Sequence, residues 1–334
     1  MSCDELYRNE NMTKVREYTV QPIYDDEKMT KKINTFLKPS DIKQIIHDDS
    51  DVYIETVDPQ TNEKNRILLL KFRKNVLSNE KCDAFYENII QFANQASNNR
   101  TNSNGVKDKG NWHFSELPKV KTNIFGYFDE FGPQIKKKFK DRHFHPSIAV
   151  RPCSFNAKNP DKYACCIPLV QEIDALYEKH IPGPYAKQIK AAEQIGVFRI
   201  PQTAFTTVTT NLNYQTTIHR DRGDFEEGFG NLAVLQRGEY DGGETCFPRF
   251  GLGVDVREGD VLFMNVHEPH ANLPLVMKSP DAIRLSIVCY LRGNILKNIH
   301  GKTAKQKRTW NQKIRRFMGY PTHGKTLKCS RRKD

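Results

Sequence analysis

The sequence predicts an α+β fold with a mainly β core: a double-stranded β-helix of jelly-roll, cupin-like type, buttressed by preceding helices and followed by a basic helix and tail. Three observations carry that expectation. After Pro201 the chain divides into short β-rich runs at 204–211, 231–236, 253–256, 260–266 and 283–290, separated by turns such as Asp241-Gly242-Gly243 and Arg257-Glu258-Gly259. Many short strands at that spacing suit two facing sheets. Before Pro201 apolar residues instead recur at helical spacing, and beyond residue 296 the charge changes abruptly. With 334 residues, 37% of them hydrophobic, the chain has enough apolar material for a real core. Four regions follow: a polar N-terminal extension or thin layer at 1–58, a mixed supporting region at 59–200, the β core at 201–296 and a basic tail at 297–334.

In chain order, Ser40 is placed to cap a short helix entered after Pro39 and running towards Ile46. The run Arg66-Ile-Leu-Leu-Leu-Lys-Phe72 reads as a strand. Ser78 then caps a helix whose Cys82, Phe85, Ile89, Phe92 and Ala93 share one face. Residues 94–110 are rich in Asn, Ser and Gly and read as a long loop, which in a compact domain is disordered or functional. The cluster Lys136-Lys137-Lys138-Phe139-Lys140 reads first as a solvated helix face and second as a phosphate contact. Ile167, Val170, Ile173, Asp174 and Tyr177 mark another helix, ended by Pro182-Gly183-Pro184. In the tail, Thr303 is placed to cap a helix striped by Trp310, Ile314, Phe317 and Met318.

The formal net charge of +12 lies in the tail: residues 297–334 hold 13 Lys/Arg against Asp334 alone, while residues 1–296 balance 39 basic against 39 acidic residues. Such segregation points to a polyanion-binding or targeting segment on a neutral body, with packing by Trp310 and Phe317 as the plainer reading. The eight cysteines show no CxxC pair and read as reduced thiols of an intracellular protein. The first residues lack the apolar run of a secretory signal, and no apolar run is long enough to span a membrane. A soluble monomer is expected, nuclear if it acts in a eukaryotic cell and cytoplasmic otherwise.

The chemistry concentrates between His219 and Arg284. Two histidines and a carboxylate can hold one face of an Fe(II) ion and leave the other positions open to a bidentate cosubstrate and O2. His219 and Asp221 share strand parity with Asn211, Asn213 and Thr217, provided that Asn213-Tyr214 is not a turn. A lone HxD is weak, but here it sits in a β-rich context with a distant histidine and an arginine on the last strand. The second histidine is His267 or His270, which three residues apart face opposite sides of a regular strand. Arg284 and Ser286 also share parity, and a guanidinium fork beside a hydroxyl fits the far carboxylate of 2-oxoglutarate. Asn211 and Asn213 are candidates for the same cosubstrate. The plain alternative for Arg284 is a pair with an internal acid.

These residues sit in a longer text that resembles the TET/JBP family of Fe(II)/2-oxoglutarate-dependent dioxygenases. The matching segments are Ala204-Phe-Thr-Thr-Val-Thr, Asn211-Leu-Asn213, His219-Arg-Asp221 with the following Gly-Asp-Phe-Glu-Glu-Gly-Phe-Gly, and Tyr240-Asp-Gly-Gly. They continue with Val254-Asp-Val-Arg-Glu-Gly-Asp, His267-Glu-Pro-His270-Ala-Asn-Leu-Pro and Arg284-Leu-Ser-Ile-Val-Cys-Tyr290. The text is dense over residues 200–293, and 122–129 looks similar. The resemblance implies a compact JBP-like catalytic module with no cysteine-rich zinc region. It implies His219, Asp221 and His270 as metal ligands, the last chosen because a short residue pair and Pro follow it. It further implies hydroxylation of a pyrimidine 5-methyl group, thymine or 5-methylcytosine, in DNA that yields succinate and CO2. Arg222 and Asp224 are candidate readers of the base, although Asp224 equally suits a turn cap. Gly242-Gly243-Glu244-Thr245 with Phe247-Pro248 also resembles prolyl 4-hydroxylases, so a protein hydroxylase is the alternative. Arg284-Leu-Ser weighs against it, because those enzymes usually hold 2-oxoglutarate with lysine.

Overall fold

The computed structural model describes residues 15–58, 60–97, 120–129, 137, 140, 150–299 and 302–317. Most of the 94–110 loop, most of the lysine cluster at 136–140 and the end of the tail lie outside them.

Fifteen strands are described. β1 (Arg16–Val20), β2 (Gln44–Ile46), β3 (Ser50–Val57), β4 (Lys64–Arg73), β5 (Thr122–Phe128) and β6 (Arg151–Pro152) precede the helical region. β7 (Thr207–Leu212), β8 (Gly230–Arg237), β9 (Tyr240–Gly242), β10 (Thr245–Phe247), β11 (Leu252–Val254), β12 (Val261–Met264), β13 (Ala271–Asn272), β14 (Leu275–Met277) and β15 (Ile283–Tyr290) follow it. The helices are α1 (Asp26–Lys32), α2 (Asn79–Ala93), α3 (Ser154–Lys158), α4 (Pro160–His180), α5 (Pro182–Ile195), α6 (Gly293–Ile299) and α7 (Ala304–Phe317).

A nine-stranded sheet runs β1-β3-β4-β12-β8-β15-β7-β5-β6, and a four-stranded sheet runs β13-β10-β11-β2. The period of two in the sequence decides what each face of the large sheet meets. Along β15, Leu285, Ile287 and Cys289 turn outwards with Ala233, Leu235 and Phe263 onto the helices, where Phe85, Ile89, Leu169, Ile173 and Tyr177 cover them. On the other face Val52, Leu70, Phe72, Leu232, Val234 and Leu262 meet Ile46, Phe247, Leu252 and Val254 of the small sheet. Each fully buried side chain of this size contributes about 1.5–3 kcal/mol. This two-sheet core with helices on one side is the double-stranded β-helix that the strand spacing predicts.

The helices at α2 and α4 form where the apolar period places them, with Cys82, Phe85, Ile89, Phe92 and Ala93 all buried. Thr303 caps α7 as expected: its hydroxyl accepts from the Gln306 N–H at 3.2 Å while the Gln306 side chain accepts from the Thr303 N–H at 2.9 Å. Three expectations need correction. Pro182-Gly183-Pro184 opens a helix as well as closing one, since Pro182 stands at the first position of α5, where a missing N–H costs nothing. More important, residues 15–57 are not an extension. β3 pairs with β4 and β1 with β3 in the large sheet, and β2 pairs in parallel with β11 in the small one. The helix expected from Ser40 to Ile46 is instead one tight turn followed by β2, because Ile45 and Ile46 are β-branched and have a partner strand about 200 residues away. The β core is therefore wider than 201–296, drawing strands from residues 16–73 and 122–128.

Candidate active site

Between the sheets lies a cleft of about 500 Å³ lined by β7, β10, β12, β13, β15 and the 214–224 segment. β15 supplies its back wall in alternate residues: Arg284, Ser286, Val288 and Tyr290 all face it, and Arg292 continues the series just past the strand. That alternation is the signal from which Tyr290 and Arg292 could have been read as cleft residues beside Arg284 and Ser286.

His219 and His270 approach from opposite sides and are tied by their own backbones. Each N–H donates to the other's carbonyl at 3.0 Å, and the N–H of Asp221 donates to the Val266 carbonyl at 3.0 Å. The unbroken strand that parity required is absent here. β7 ends at Leu212, Asn213 takes φ 47, and the His219 and Asp221 pair re-enters the cleft through this short bridge. The result is the same inward direction for His219 and Asp221.

The three side chains converge. The Nε2 of His219 lies 3.7 Å from one Asp221 carboxylate oxygen and the Nε2 of His270 lies 3.6 Å from the other. One potential ligand atom from each side chain falls within 4.8 Å of the other two. Each imidazole is oriented by its far nitrogen: Nδ1 of His219 stands 2.7 Å from the Thr217 carbonyl and Nδ1 of His270 stands 2.9 Å from the Glu268 carbonyl. A proton on Nδ1 for those carbonyls leaves the Nε2 lone pairs directed at the common point, the arrangement a metal-binding histidine requires. His267 points elsewhere, with Nε2 3.4 Å from the Phe225 carbonyl and no place in the cleft lining. Of the two histidines that strand parity could not separate, His270 is the one in the cluster.

Arg284 lies on the cleft's inner wall, 4% exposed, and its Nε and Nη2 are buried without a hydrogen-bond partner. Burial holds its pKa below the ordinary arginine value, against the fields of Tyr240 and Glu244. No acid among the described residues forms an ion pair with it, so the internal-acid alternative has no partner there. A buried guanidinium with open N–H groups is costly until an anion arrives. Gly243 makes the room: a Cβ there would stand 2.9 Å from the Arg284 Nε and 2.5 Å from a Leu275 methyl. The Gly-Gly pair thus has a packing reason independent of any resemblance to prolyl hydroxylases.

The two asparagines part company. Asn211 lines the cleft and its amide donates to the Ser286 hydroxyl at 3.3 Å. Asn213 is exposed and lies outside the cleft lining; its side chain accepts from the Arg284 backbone N–H at 2.7 Å and donates to the Ala282 carbonyl at 3.0 Å. Asn213 therefore fastens the chain to the start of β15, with its amide turned to the backbone there. Arg222 and Asp224 both reach the cleft, Arg222 at its exposed rim.

Arg292 faces the same rim. It bridges in backbone to Asp224, its Nε donates to the buried Asp129 at 2.8 Å, and its guanidinium lies 4.7 Å from the centre of the Phe128 ring. Gly223 admits it, since a Cβ at that position would overlap a terminal nitrogen of Arg292 at 1.6 Å.

This geometry fits the group that such a donor set serves. Two imidazoles and one carboxylate on one face suit Fe(II), and the open cation of Arg284 suits the far carboxylate of a dicarboxylic cosubstrate. Comparison with known proteins agrees. Residues 138–293 match the sequence model of the Tet_JBP family, described as the oxygenase domain of the 2OGFeDO superfamily, whose members use Fe(II), 2-oxoglutarate and O2. The chain is 32% identical over 173 residues to thymine dioxygenase JBP1-B of Trypanosoma cruzi, covering 51% of this chain and 19% of that protein. It is 30% identical over 178 residues to the bifunctional helicase and thymine dioxygenase JBP2 of Leishmania major, covering 53% of this chain and 15% of that protein. The chain thus spans under a fifth of the length of these relatives. A solved structure of NgTET1 in complex with 5mC DNA superposes with a TM-score of 0.48 at 13% identity, covering 82% of this chain and 94% of that one. The stretch that carries the His219, Asp221 and His270 cluster is thus similar to the oxygenase domain of the Tet_JBP family.

Proposed function

We propose that the chain hydroxylates the 5-methyl group of a pyrimidine in DNA, with thymine the first choice because the relatives it matches are thymine dioxygenases. The observation that carries this reading is the joining, in one cleft, of a metal-ready triad with an unpaired buried arginine below and a polar rim above.

Fe(II) with 2-oxoglutarate and O2, when bound, supplies the oxidising power that replaces a methyl C–H by C–OH while the cosubstrate leaves as succinate and CO2. His219, Asp221 and His270 would hold the metal on one face. Arg284 and Ser286 would hold the far carboxylate, and Asn211 steadies the Ser286 hydroxyl. Leu232, Met264 and Val288 give the cleft an apolar wall that excludes water from the reacting methyl group.

A base buried in a duplex reaches such a cleft only by leaving the stack, at a cost of a few kcal/mol. Rim contacts and backbone contacts offset that cost. Asp224 accepts hydrogen bonds and Arg292 donates them, so the pair presents both kinds of partner to a base edge. α7 offers the backbone contacts: Lys305, Arg308, Lys313 and Arg316 are exposed, while Trp310 packs on the Phe198, Leu291 and Ile295 cluster behind the rim.

The test is incubation of the full chain with Fe(II), 2-oxoglutarate and DNA containing thymine or 5-methylcytosine, followed by digestion and mass spectrometry of the nucleosides. Hydroxymethyl nucleosides are expected; oxidation of peptides with inert DNA would overturn the reading. Asp224→Ala should change the preference between the two bases while sparing uncoupled 2-oxoglutarate turnover, and an unchanged preference would remove Asp224 as a reader.

A further inference from the structure

The metal ligands lie in two segments, 217–221 and 268–270, and both rest on a third stretch far away in sequence. Residues 23–37, outside the region that matches the family, run beneath them. Ile218, next to His219, exchanges backbone hydrogen bonds with this stretch: its N–H donates to the Thr35 carbonyl and its carbonyl accepts from the Asn34 N–H, both at 2.9 Å. Ile218 and Ala271, the neighbours of the two histidines, are buried in one apolar cluster with Met29 and Leu37.

A chain of charges parallels that packing. The Asp26 carboxylate on α1 lies 3.9 Å from Arg220, the residue between His219 and Asp221, and 3.1 Å from Arg249. The same Arg249 nitrogen lies 3.5 Å from the Glu268 carboxylate, and the Glu268 backbone carbonyl is the group that orients the His270 ring. Arg249 is itself tied to the stretch, because its carbonyl accepts from the Ile23 N–H at 2.8 Å. Arg220 Nε, Arg249 Nε and the Glu268 oxygen that faces Arg249 are buried without a hydrogen bond, so the contacts among these side chains are ion pairs.

We infer that residues 23–37 form a clamp that sets the spacing of the two ligand segments and hence the metal affinity of the site, with Asp26 and Arg249 as its positioning residues. The inference rests on the reading of His219, Asp221 and His270 as the iron site. Outer partners of ligating histidines shift metal affinity by roughly 10- to 100-fold. Arg249→Lys keeps the charge but replaces the planar guanidinium by an ammonium on a shorter stem, moving the nitrogen that faces both Asp26 and Glu268, so it separates positioning from simple charge.

Mn(II) titration of the full chain, read by the electron paramagnetic resonance signal of free Mn(II), tests the clamp alongside the unfolding temperature of the metal-free protein. Arg249→Lys is expected to weaken Mn(II) binding roughly ten-fold with the metal-free unfolding temperature unchanged. Asp26→Asn, at a largely exposed position, is expected to shift affinity the same way, and Asp26→Glu to restore it. Wild-type binding with unaltered affinity in both Arg249→Lys and Asp26→Asn would overturn the clamp alone, as would a loss of affinity matched by a lower unfolding temperature. If Arg249→Lys fails to fold, the Asp26 pair decides by itself. A wild-type chain that binds no Mn(II) would overturn the iron-site reading and the clamp with it.

Discussion

Arg284→Met separates a cosubstrate anchor from an ordinary structural arginine. In the structure the guanidinium is buried, and both Nε and Nη2 lack partners. Before an anion binds, this isolated cation is a cost to the fold; replacing a buried charge by an apolar side chain of similar volume is often neutral or stabilising. The metal-loaded chain without cosubstrate should therefore unfold at the same or higher urea concentration when Arg284 is methionine. Cosubstrate binding should respond in the opposite sense. Removing one partner of a buried charge pair costs about 2–5 kcal/mol, and each ~1.4 kcal/mol is ten-fold, so affinity for 2-oxoglutarate should fall by roughly 30- to several thousand-fold. Anaerobic calorimetric titration of 2-oxoglutarate into Ni(II)-loaded protein measures the second quantity, and urea unfolding the first. A variant that is clearly less stable yet binds 2-oxoglutarate like the wild type would refute the reasoning, because it would make Arg284 a partner of protein groups.

Other outcomes follow from the same structure. Gly243→Ala puts a methyl where Arg284 and Leu275 now meet, at φ 77, so it should raise the KM for 2-oxoglutarate in succinate-release kinetics while Mn(II) affinity is kept. Burial raises the pKa of Asp174 to about 6, against hydrogen bonds from the Ala204 N–H and the Tyr185 hydroxyl that lower it. The folded chain then holds a proton that the unfolded chain releases between the ordinary aspartate value of 3.8 and about 6, so this group's contribution to stability falls as pH rises through that window. Denaturant curves should show wild type losing ground to Asp174→Asn between about pH 4 and 6, by on the order of 3 kcal/mol or less, and no further change above it. Replacing Lys305, Arg308 and Arg316 by Gln should weaken DNA binding and flatten its dependence on log salt by about one unit of slope for each phosphate that is no longer neutralised, read by fluorescence anisotropy.

How much was legible depended on the range of each interaction. Period-two alternation along β15 and helical spacing in α2 are local, and both appear in the structure with Arg284 and Ser286 inward and Phe85 and Ile89 buried. The pair His219 and Asp221 was legible as a motif, although the straight strand assumed for it is broken at Asn213, whose amide is taken by the backbone of β15. What could not be read is pairing at long range. The polar stretch from Val15 to Val57 has no strong period, and its order comes from partners such as Arg249, Gly251 and Ile218 that no local pattern announces. Arg292 lay one further step along an alternation already identified.

The most direct test of the central account follows the oxygen atoms. With the full chain, Fe(II), 2-oxoglutarate and thymine-containing DNA under heavy-isotope O2, the account predicts the label both in succinate and in the hydroxymethyl group of the released nucleoside, in amounts that rise together. Labelled succinate with no labelled nucleoside from either thymine or 5-methylcytosine, at complete turnover, would contradict it.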